Sequence, residues 1–304
     1  MRVVYRGDFD GSVCAAMLFE LGKCDDLVQY HPQDVQDGVV EITDQDIICN
    51  LPYHPDCNMW FDHHSSEIGQ IDFIAIFAGT ARIAPSAARL VYEYFKDDLA
   101  SVDKYKQLVA DADLVDGGFI TVHQLAKPQG STLLALLLDP RTGLGLYHDF
   151  AISNFQWSIQ IPELLTRHSV EEILTMPDTQ ERVRRYFEIE DQAREFYAEN
   201  SYLDGNVIVS DVRGKAVPAA NRFLIYTLDG FTGGNISVRI SDGKQGQFYT
   251  IAVAHSIVTS TSQVDAGLLC KDYRGGGHER AAACQVSIED SDNVLKEIIE
   301  ACKA

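Results

Sequence analysis

Positive charge is scarce in this sequence. Its 304 residues include 25 Lys and Arg against 45 Asp and Glu, which gives a formal net charge of -20. Proteins that follow long nucleic-acid duplexes bind largely by neutralising phosphates with basic side chains, so this balance argues against that class. A short anionic ligand needs only a local positive group, and a bound metal ion can supply it.

Long apolar runs and paired cysteines are also missing. No apolar run approaches the roughly 18 residues of a membrane span, and the first residues form a strand pattern instead of a signal peptide. The seven cysteines contain no Cys-x-x-Cys pair, which excludes zinc-ribbon and thioredoxin-like sites. Walker-type phosphate loops, G-x-S-x-G elbows and helical pairs of zinc histidines are absent too. We therefore expect a cytoplasmic protein with no membrane partner.

The pattern of strands and helices changes along the chain. Short, unalternating apolar strands separated by helices come first, which predicts a parallel sheet covered on both faces. Short strands mixed with helices follow Asp204 and predict a smaller α+β domain. We predict an α/β fold with a first domain at 1–178, a helical connector at 179–203 and a second domain at 204–304. The last helix of the first domain is an equal alternative for the connector. The predicted strands of the first sheet are 2–6, 27–30, 46–50, 59–61 and 72–77.

Two aspartates follow the first predicted strand. Asp8 and Asp10 lie two apart, and in extended chain such residues point the same way. Gly11 comes next, and Ser12 is a candidate cap for the helix that follows. Two carboxylates on one site repel each other unless a cation lies between them, so this motif favours a metal.

An Asp-His-His motif follows another predicted strand end. Asp62, His63 and His64 come directly after the apolar residues 59–61. A polar loop that happens to contain two histidines would be the structural explanation. Carboxylate oxygens together with imidazole nitrogen are ligands for manganese or magnesium, and ligands bind at strand ends in open α/β sheets. The two motifs together predict a divalent metal site at this sheet edge.

Three further carboxylates crowd one predicted helix. Asp111, Asp113 and Asp116 lie within six residues. A solvated helix face explains them if they stand alone. Beside a metal site, one of them as a ligand becomes the better explanation, and the residues alone do not select which.

A glycine cluster marks the second domain. Gly275, Gly276 and Gly277 precede His278, Glu279 and Arg280. Glycines let backbone N–H groups turn towards an anion, whereas a flexible linker would be rich in serine and would not end in His-Glu-Arg before an apolar strand. Arg239 and His255 would add phosphate contacts if they point inward, and a surface position is the alternative for each.

The order and spacing of these motifs resemble the DHH phosphoesterase superfamily with its DHH-associated C-terminal domain. The motifs span nearly the whole chain and are most similar to the exopolyphosphatase-related, oligoribonuclease-like branch. The resemblance implies an N-terminal parallel-sheet domain, a smaller C-terminal domain, an active site in the cleft between them and a homodimer.

The resemblance also implies roles for individual residues. The implied metal ligands, for two manganese ions with magnesium as the alternative, are Asp8, Asp10, Asn50, His63 and Asp113. The implied catalytic residues are Asp10, Asp62 and His64, with His64 near the scissile phosphate. The substrate-binding residues that we expect are Arg239, His255, Gly275, Gly276, Gly277, His278 and Arg280.

The sequence departs from the family pattern at two positions. Asn50 stands where members usually have an aspartate that bridges both metals, and Val4 stands where many small-substrate members have a histidine. An amide is neutral and binds manganese more weakly than a carboxylate does. We therefore expect one of the two metal sites to be weak.

The leading hypothesis is a manganese-dependent phosphodiesterase or phosphatase. Its substrates would be short nucleotides, such as oligoribonucleotides, dinucleotides or phosphoadenosine phosphate. An exopolyphosphatase or pyrophosphatase is the first alternative, and it predicts no use for base-stacking aromatic residues in the second domain. A nucleotide-binding protein with an inactive metal site is the second alternative, and tight binding without turnover would favour it.

Overall fold

The computed structural model describes residues 1–64, 68, 77–243, 246–259 and 261–303. The chain forms two compact units. The first comprises Met1–Phe119 with Pro128–Arg185, and the second comprises Ile120–Lys127 with Tyr186–Ala304. The boundary between them falls within one long helix, Pro177–Asn200.

A parallel sheet forms the centre of the first unit. Its five strands lie in the order β2-β1-β3-β4-β5, and every pairing is parallel. These strands are β1 (Arg2–Arg6), β2 (Asp26–Tyr30), β3 (Asp46–Cys49), β4 (Met59–Asp62) and β5 (Ala78–Ala81). The predicted α/β class is confirmed. The strand predicted at 72–77 lies outside the described residues except for Phe77.

Helices surround this sheet and continue into the second unit. In chain order they are α1 (Phe9–Glu20), α2 (Pro32–Gln36), α3 (Ala87–Phe95), α4 (Val102–Asp116), α5 (Val122–Ala126), α6 (Gly130–Leu138), α7 (Asn154–Ser158), α8 (Ile161–Arg167), α9 (Val170–Thr175), α10 (Pro177–Asn200), α11 (Ala266–Asp272) and α12 (Ser291–Cys302). Three-residue 3-10 turns occupy Pro140–Thr142 and Leu144–Leu146, and a longer 3-10 helix occupies Arg222–Thr227. None of the described helices combines the length and apolar character that a membrane span requires.

The start of α1 differs from the prediction. The helix begins at Phe9, and its cap is Asp8, whose Oδ1 accepts the N–H of Gly11 at 2.9 Å. Ser12 lies inside the first turn instead. A Cβ at Gly11 would come within 2.1 Å of the Arg6 carbonyl oxygen, so only glycine allows the helix to start so close to β1.

A mixed sheet organises the second unit. Its six strands lie in the order β10-β11-β9-β8-β7-β6, and all pairings are antiparallel except β7 with β8. They are β6 (Ser201–Asp204), β7 (Val207–Asp211), β8 (Ile236–Asp242), β9 (Tyr249–His255), β10 (Gly276–His278) and β11 (Ala281–Val286). One face packs into an apolar core with residues of α11 and α12. The α+β character predicted after Asp204 is thus present.

Candidate active site

Three neighbouring strands of the first unit deliver polar side chains to one sheet edge. Asp8 follows β1, Asn50 follows β3 and His63 follows β4, and these strands are adjacent in the order β1-β3-β4. Parallel strands end at the same edge, so the three motifs meet although they are far apart in sequence. Asn50 has a left-handed backbone with φ 56°, which asparagine tolerates better than most residues.

His63 presents one ring nitrogen to two carboxylates. Its Nδ1 lies 3.0 Å from the Ala84 carbonyl oxygen, which places the Nδ1 proton on that bond. Its Nε2 lies 2.8 Å from Asp116 Oδ2 and 3.7 Å from Asp10 Oδ2. No described group is aligned for a hydrogen bond with Nε2, although the atom is buried. The nitrogen therefore points into a space bounded by carboxylate oxygens.

The carboxylate of Asp10, which lies on α1, is held by hydrogen bonds from a second helix, α3. Its Oδ2 and Oδ1 accept the backbone N–H groups of Ala87 at 2.8 Å and Ala88 at 2.7 Å, which are the first two residues of α3. Burial and the nearby charge of Asp116 raise the pKa of Asp10 to about 7. Each carboxylate oxygen keeps a second lone pair, so Asp10 can still coordinate a cation.

The closeness of His63 and the carboxylates shifts their pKa values. Burial lowers the pKa of His63, but the carboxylates of Asp116 and Asp10 outweigh burial and raise it to about 9. Burial raises the pKa of Asp116, but His63 outweighs burial and lowers it. Without a metal, a proton on His63 thus balances part of the negative charge.

These groups fit a divalent ion. The ligand atoms of Asp10, His63 and Asp116 all lie within 4.8 Å of one another, the spacing of groups around one cation. The bond from Nδ1 to Ala84 fixes the tautomer and leaves Nε2 for the ion, an arrangement common among metal-bound histidines. Imidazole and carboxylates suit manganese, magnesium or zinc by chemistry.

Asp116, and not Asp113, belongs to this cluster. The fourth ligand was predicted at Asp113, but Asp113 accepts hydrogen bonds from Ser86 Oγ at 2.7 Å and Arg89 Nε at 3.0 Å. Those donors turn it away from His63. Asp111 instead accepts hydrogen bonds from Gln107 and Ser131.

Asp8 has different neighbours. Its Oδ2 lies 2.9 Å from Arg6 Nε, and its Oδ1 accepts from the Gly11 N–H at 2.9 Å and from Asn50 Nδ2 at 3.1 Å. Burial raises the pKa of Asp8, and the charge of Arg6 opposes that rise. Asn50 Oδ1 is buried without a hydrogen-bond donor among the described residues. Such an atom needs a donor that the described residues do not supply, and an ordered water molecule would be one.

His64 is oriented by Asp62. Its Nδ1 lies 2.9 Å from Asp62 Oδ1, and Asp62 is fully buried. Burial lowers the pKa of His64, but the hydrogen bond and charge of Asp62 outweigh it and raise the pKa. The ring is more exposed than that of His63, so it is free to meet a ligand.

Comparison with solved structures supports the same assignment. A pGpG-specific phosphodiesterase from Vibrio cholerae, PggH, is 35% identical and matches over 99% of this chain and 98% of its own, with a TM-score of 0.86. The chain belongs to the DHH phosphoesterase superfamily. The family predicted from the motifs is therefore confirmed, and with it the general activity of a phosphoesterase.

More distant DHH structures share the fold. RecJ in complex with Mn2+ from Thermus thermophilus is 13% identical, with a TM-score of 0.54, over 98% of this chain and 52% of RecJ. The DHH domain of a member of a ribosomal protein family is 13% identical, with a TM-score of 0.53, over 99% of this chain and 86% of its own. No family model and no curated protein sequence matches the chain.

In the second unit of this DHH protein, three of the seven predicted substrate-binding residues lie on one face of the sheet, namely Arg239, Gly276 and His278. Arg239 pairs across the strands with Ala252, which pairs with Ala283, which pairs with Gly276. The row therefore spans three strand spacings, about 14 Å. His278 lies two residues after Gly276 on the same face, and Arg280 lies in the exposed turn that follows.

Arg239 has no hydrogen bond or ion pair with any described residue. It lines a cavity of about 80 Å³ together with Tyr197, Phe223, Tyr226 and small residues of β8 and β9. A half-buried guanidinium without a partner is suited to bind an anion.

One expectation for this unit needs correction. His255 lies on the opposite face, is buried, and places Nε2 2.7 Å from the Val264 carbonyl oxygen, so its contact is structural. Anion binding by the glycines stays a prediction, and two of them are also needed for packing. A Cβ at Gly275 would come within 2.2 Å of the Ala283 carbonyl oxygen and one at Gly277 within 2.5 Å of the Ala281 carbonyl oxygen, whereas Gly276 is open.

The motif search missed two arginines beside the DHH cluster. Arg6 contacts Asp8. Burial lowers the pKa of Arg141, but its hydrogen bonds with Asp139 and the charges of Asp139, Asp116 and Asp8 outweigh burial and raise it. Arg6 is the last residue of β1 and lies two residues before Asp8, so strand alternation pointed to Arg6 as a neighbour of Asp8. Asp10 lies inside α1, where this alternation does not apply. No comparable signal marks Arg141.

Proposed function

We propose that this DHH protein is a divalent-metal-dependent phosphodiesterase that hydrolyses short nucleotides, with linear dinucleotides as its main substrates. The observation that carries the proposal is the geometry of His63, whose Nε2 faces Asp10 and Asp116 while its Nδ1 bonds a backbone carbonyl. The 35% identity to a pGpG-specific phosphodiesterase supports dinucleotides as the substrate class. Manganese is the proposed ion, with magnesium as a possible substitute.

Two side chains beside the metal ligands have distinct proposed roles. An ion held by Asp10, His63 and Asp116 would act as a Lewis acid on the phosphoryl group and activate water. His64, whose pKa Asp62 raises against the effect of burial, would face the scissile phosphate and in its protonated form give a proton to the leaving oxygen. The buried Asp62 holds the ring in the orientation that this transfer needs.

We assign substrate binding to the second unit. Arg239 would bind a phosphate of the nucleotide, and His278 would contribute a second polar contact on the same sheet face. The aromatic side chains beside Arg239 are buried, so the preference for a nucleotide over polyphosphate rests on the similarity to a pGpG-specific phosphodiesterase. The separation of about 14 Å across the row suits a ligand of two nucleotides better than a single phosphate.

The test is product formation from pGpG by metal-stripped protein refilled with manganese and followed by chromatography. Asp116→Asn and Asp113→Asn form a matched pair, because the two carboxylates lie one turn apart on α4. We expect mononucleotide only with the metal, a loss of at least about 100-fold in Asp116→Asn and His63→Ala, and near-normal rates in Asp113→Asn. Absence of product from pGpG and from other dinucleotides at millimolar manganese would reject the proposal.

A further inference from the structure

The Asp8 side of the cluster has an arginine in contact with its carboxylate. The Arg6 guanidinium, the Gly11 N–H and the Asn50 amide all donate to Asp8. Asp8 also lies outside the group of Asp10, His63 and Asp116, whose ligand atoms approach within 4.8 Å of one another. A divalent ion that used the remaining lone pair of Asp8 Oδ2 would lie beside the Arg6 guanidinium, whose Nε is 2.9 Å from that oxygen, and would be repelled by it.

Asn50 contributes to this difference. Its Nδ2 donates to Asp8, an interaction that an aspartate at this position could not make. An aspartate there would instead add a fourth negative charge next to Asp8, Asp10 and Asp116. With asparagine at this position the site contains one negative charge less, and the amide donates a hydrogen bond to Asp8 directly.

Charge balance leads to the same result. Asp139 pairs with Arg141, and Asp62 forms a hydrogen bond with His64. The remaining carboxylates, those of Asp8, Asp10 and Asp116, carry three negative charges, which one divalent ion and the Arg6 guanidinium balance. Four carboxylates would require two divalent ions. Near-neutrality matters because uncompensated charges at buried positions are costly.

We infer that this protein works with a single divalent ion, held by Asp10, His63 and Asp116, and that Arg6 supplies the positive charge that a second ion supplies elsewhere. Arg6 is a charge-balancing residue fixed at the end of β1, two residues from the cluster. This inference rests on the proposed function and replaces the two-ion expectation that came from the family resemblance.

The first test is metal stoichiometry, which needs no substrate. Metal-stripped protein is equilibrated with excess manganese, gel-filtered and analysed for metal per chain, and the bound ion is examined by electron paramagnetic resonance. We expect one ion per chain with the six-line signal of isolated manganese. Two ions per chain, or the spin-coupled signal of a close pair, would overturn the inference.

Two variants extend the test. The double variant R6M/N50D exchanges one positive charge for one negative charge, and we expect it to bind two ions. R167M removes an exposed arginine from an ion pair with Glu163 and serves as the matched control, with one ion and unchanged turnover. One ion in R6M/N50D under saturating manganese would contradict the charge argument.

Turnover separates this inference from the proposed function. We expect R6M to retain its ion and to lose roughly 100-fold or more in kcat on pGpG, with partial recovery in R6K. One ion without hydrolysis in the wild type would reject the phosphodiesterase and leave the stoichiometry in place. Hydrolysis with two ions would reject only the single-ion inference, and normal kcat in R6M would reject the role of Arg6.

Discussion

The guanidinium of Arg2 forms two parallel hydrogen bonds with the carboxylate of Asp46, Nε to Oδ1 and Nη2 to Oδ2, both at 2.7 Å. This pair joins the first residues of β1 and β3, so it aligns the two strands at the end remote from Asp8 and Asn50. The Thr43 N–H donates to the same carboxylate at 2.7 Å. Burial raises the pKa of Asp46, but Arg2 and Thr43 outweigh it and lower the pKa below its usual value.

The Arg2–Asp46 pair makes stability depend on pH. A carboxyl with a lowered folded pKa stabilises the fold fully above the unfolded pKa, about 4, and loses this contribution as pH falls through the folded value. We expect metal-free Asp46→Asn to unfold with about 1–3 kcal/mol less free energy at pH 7. Urea titrations at several pH values should show the difference shrinking below pH about 4. An equal difference at pH 3 and pH 7 would contradict this account.

Asp62 is expected to act on turnover through His64. Asp62→Asn keeps the size of the side chain but removes the charge that holds the His64 ring. We expect kcat on pGpG to fall by roughly 100-fold or more, the contribution of a positioned acid–base group, with the same metal content per chain. Steady-state kinetics and metal analysis would check it. A change in KM alone would show that Asp62 only shapes the site.

Arg239 is expected to act on substrate affinity without contributing to stability. Arg239→Met removes a guanidinium that has no partner among the described residues, so the unfolding free energy should change by no more than about 0.5 kcal/mol. Loss of a charge-assisted bond of about 1.5–3 kcal/mol should raise KM for pGpG roughly 10- to 100-fold. Hydrolysis of bis(p-nitrophenyl) phosphate, a phosphodiester that contains no nucleotide and no second phosphate, should be nearly unchanged. Equal losses of activity on both substrates would show that Arg239 does not act by binding the nucleotide.

The glycine cluster offers a pair of matched variants. Gly277 has φ 149° and lies against Ala281 and Ala282, whereas a Cβ at Gly276 would meet nothing within 4 Å. We expect Gly277→Ala to cost about 1–3 kcal/mol in unfolding free energy and Gly276→Ala to cost about 0.5 kcal/mol or less. A raised KM in Gly276→Ala at unchanged stability would show that substrate approaches the backbone there. Equal stability of the two variants would contradict the packing explanation.

The sequence was sufficient where the signals were local. The Asp-x-Asp and Asp-His-His motifs follow apolar strands, and because parallel strands end at a common edge their convergence could be predicted from the pattern alone. The same reasoning predicted the sheet class of the first unit and the change of pattern after Asp204.

The predictions that differ from the structure concern positions whose contacts come from residues distant in sequence. Asp113 and Asp116 are equivalent by spacing, and the choice between them depends on Ser86 and Arg89, more than twenty residues away. The cap at Asp8 instead of Ser12 depends on how closely α1 approaches β1. His255 was expected to face the substrate, but strand alternation puts it on the core side, opposite to Arg239. Alternation within β9 could have shown this.

Asp10 connects the metal position to the interior of the fold. The Asp10 carboxylate that faces His63 also accepts hydrogen bonds from the backbone N–H groups of Ala87 and Ala88 at the start of α3. A cation that binds the Asp10 oxygens changes the carboxylate that accepts both of these hydrogen bonds. Hydrogen–deuterium exchange of these two amides therefore reports metal occupancy. Mass spectrometry can measure it without substrate or turnover.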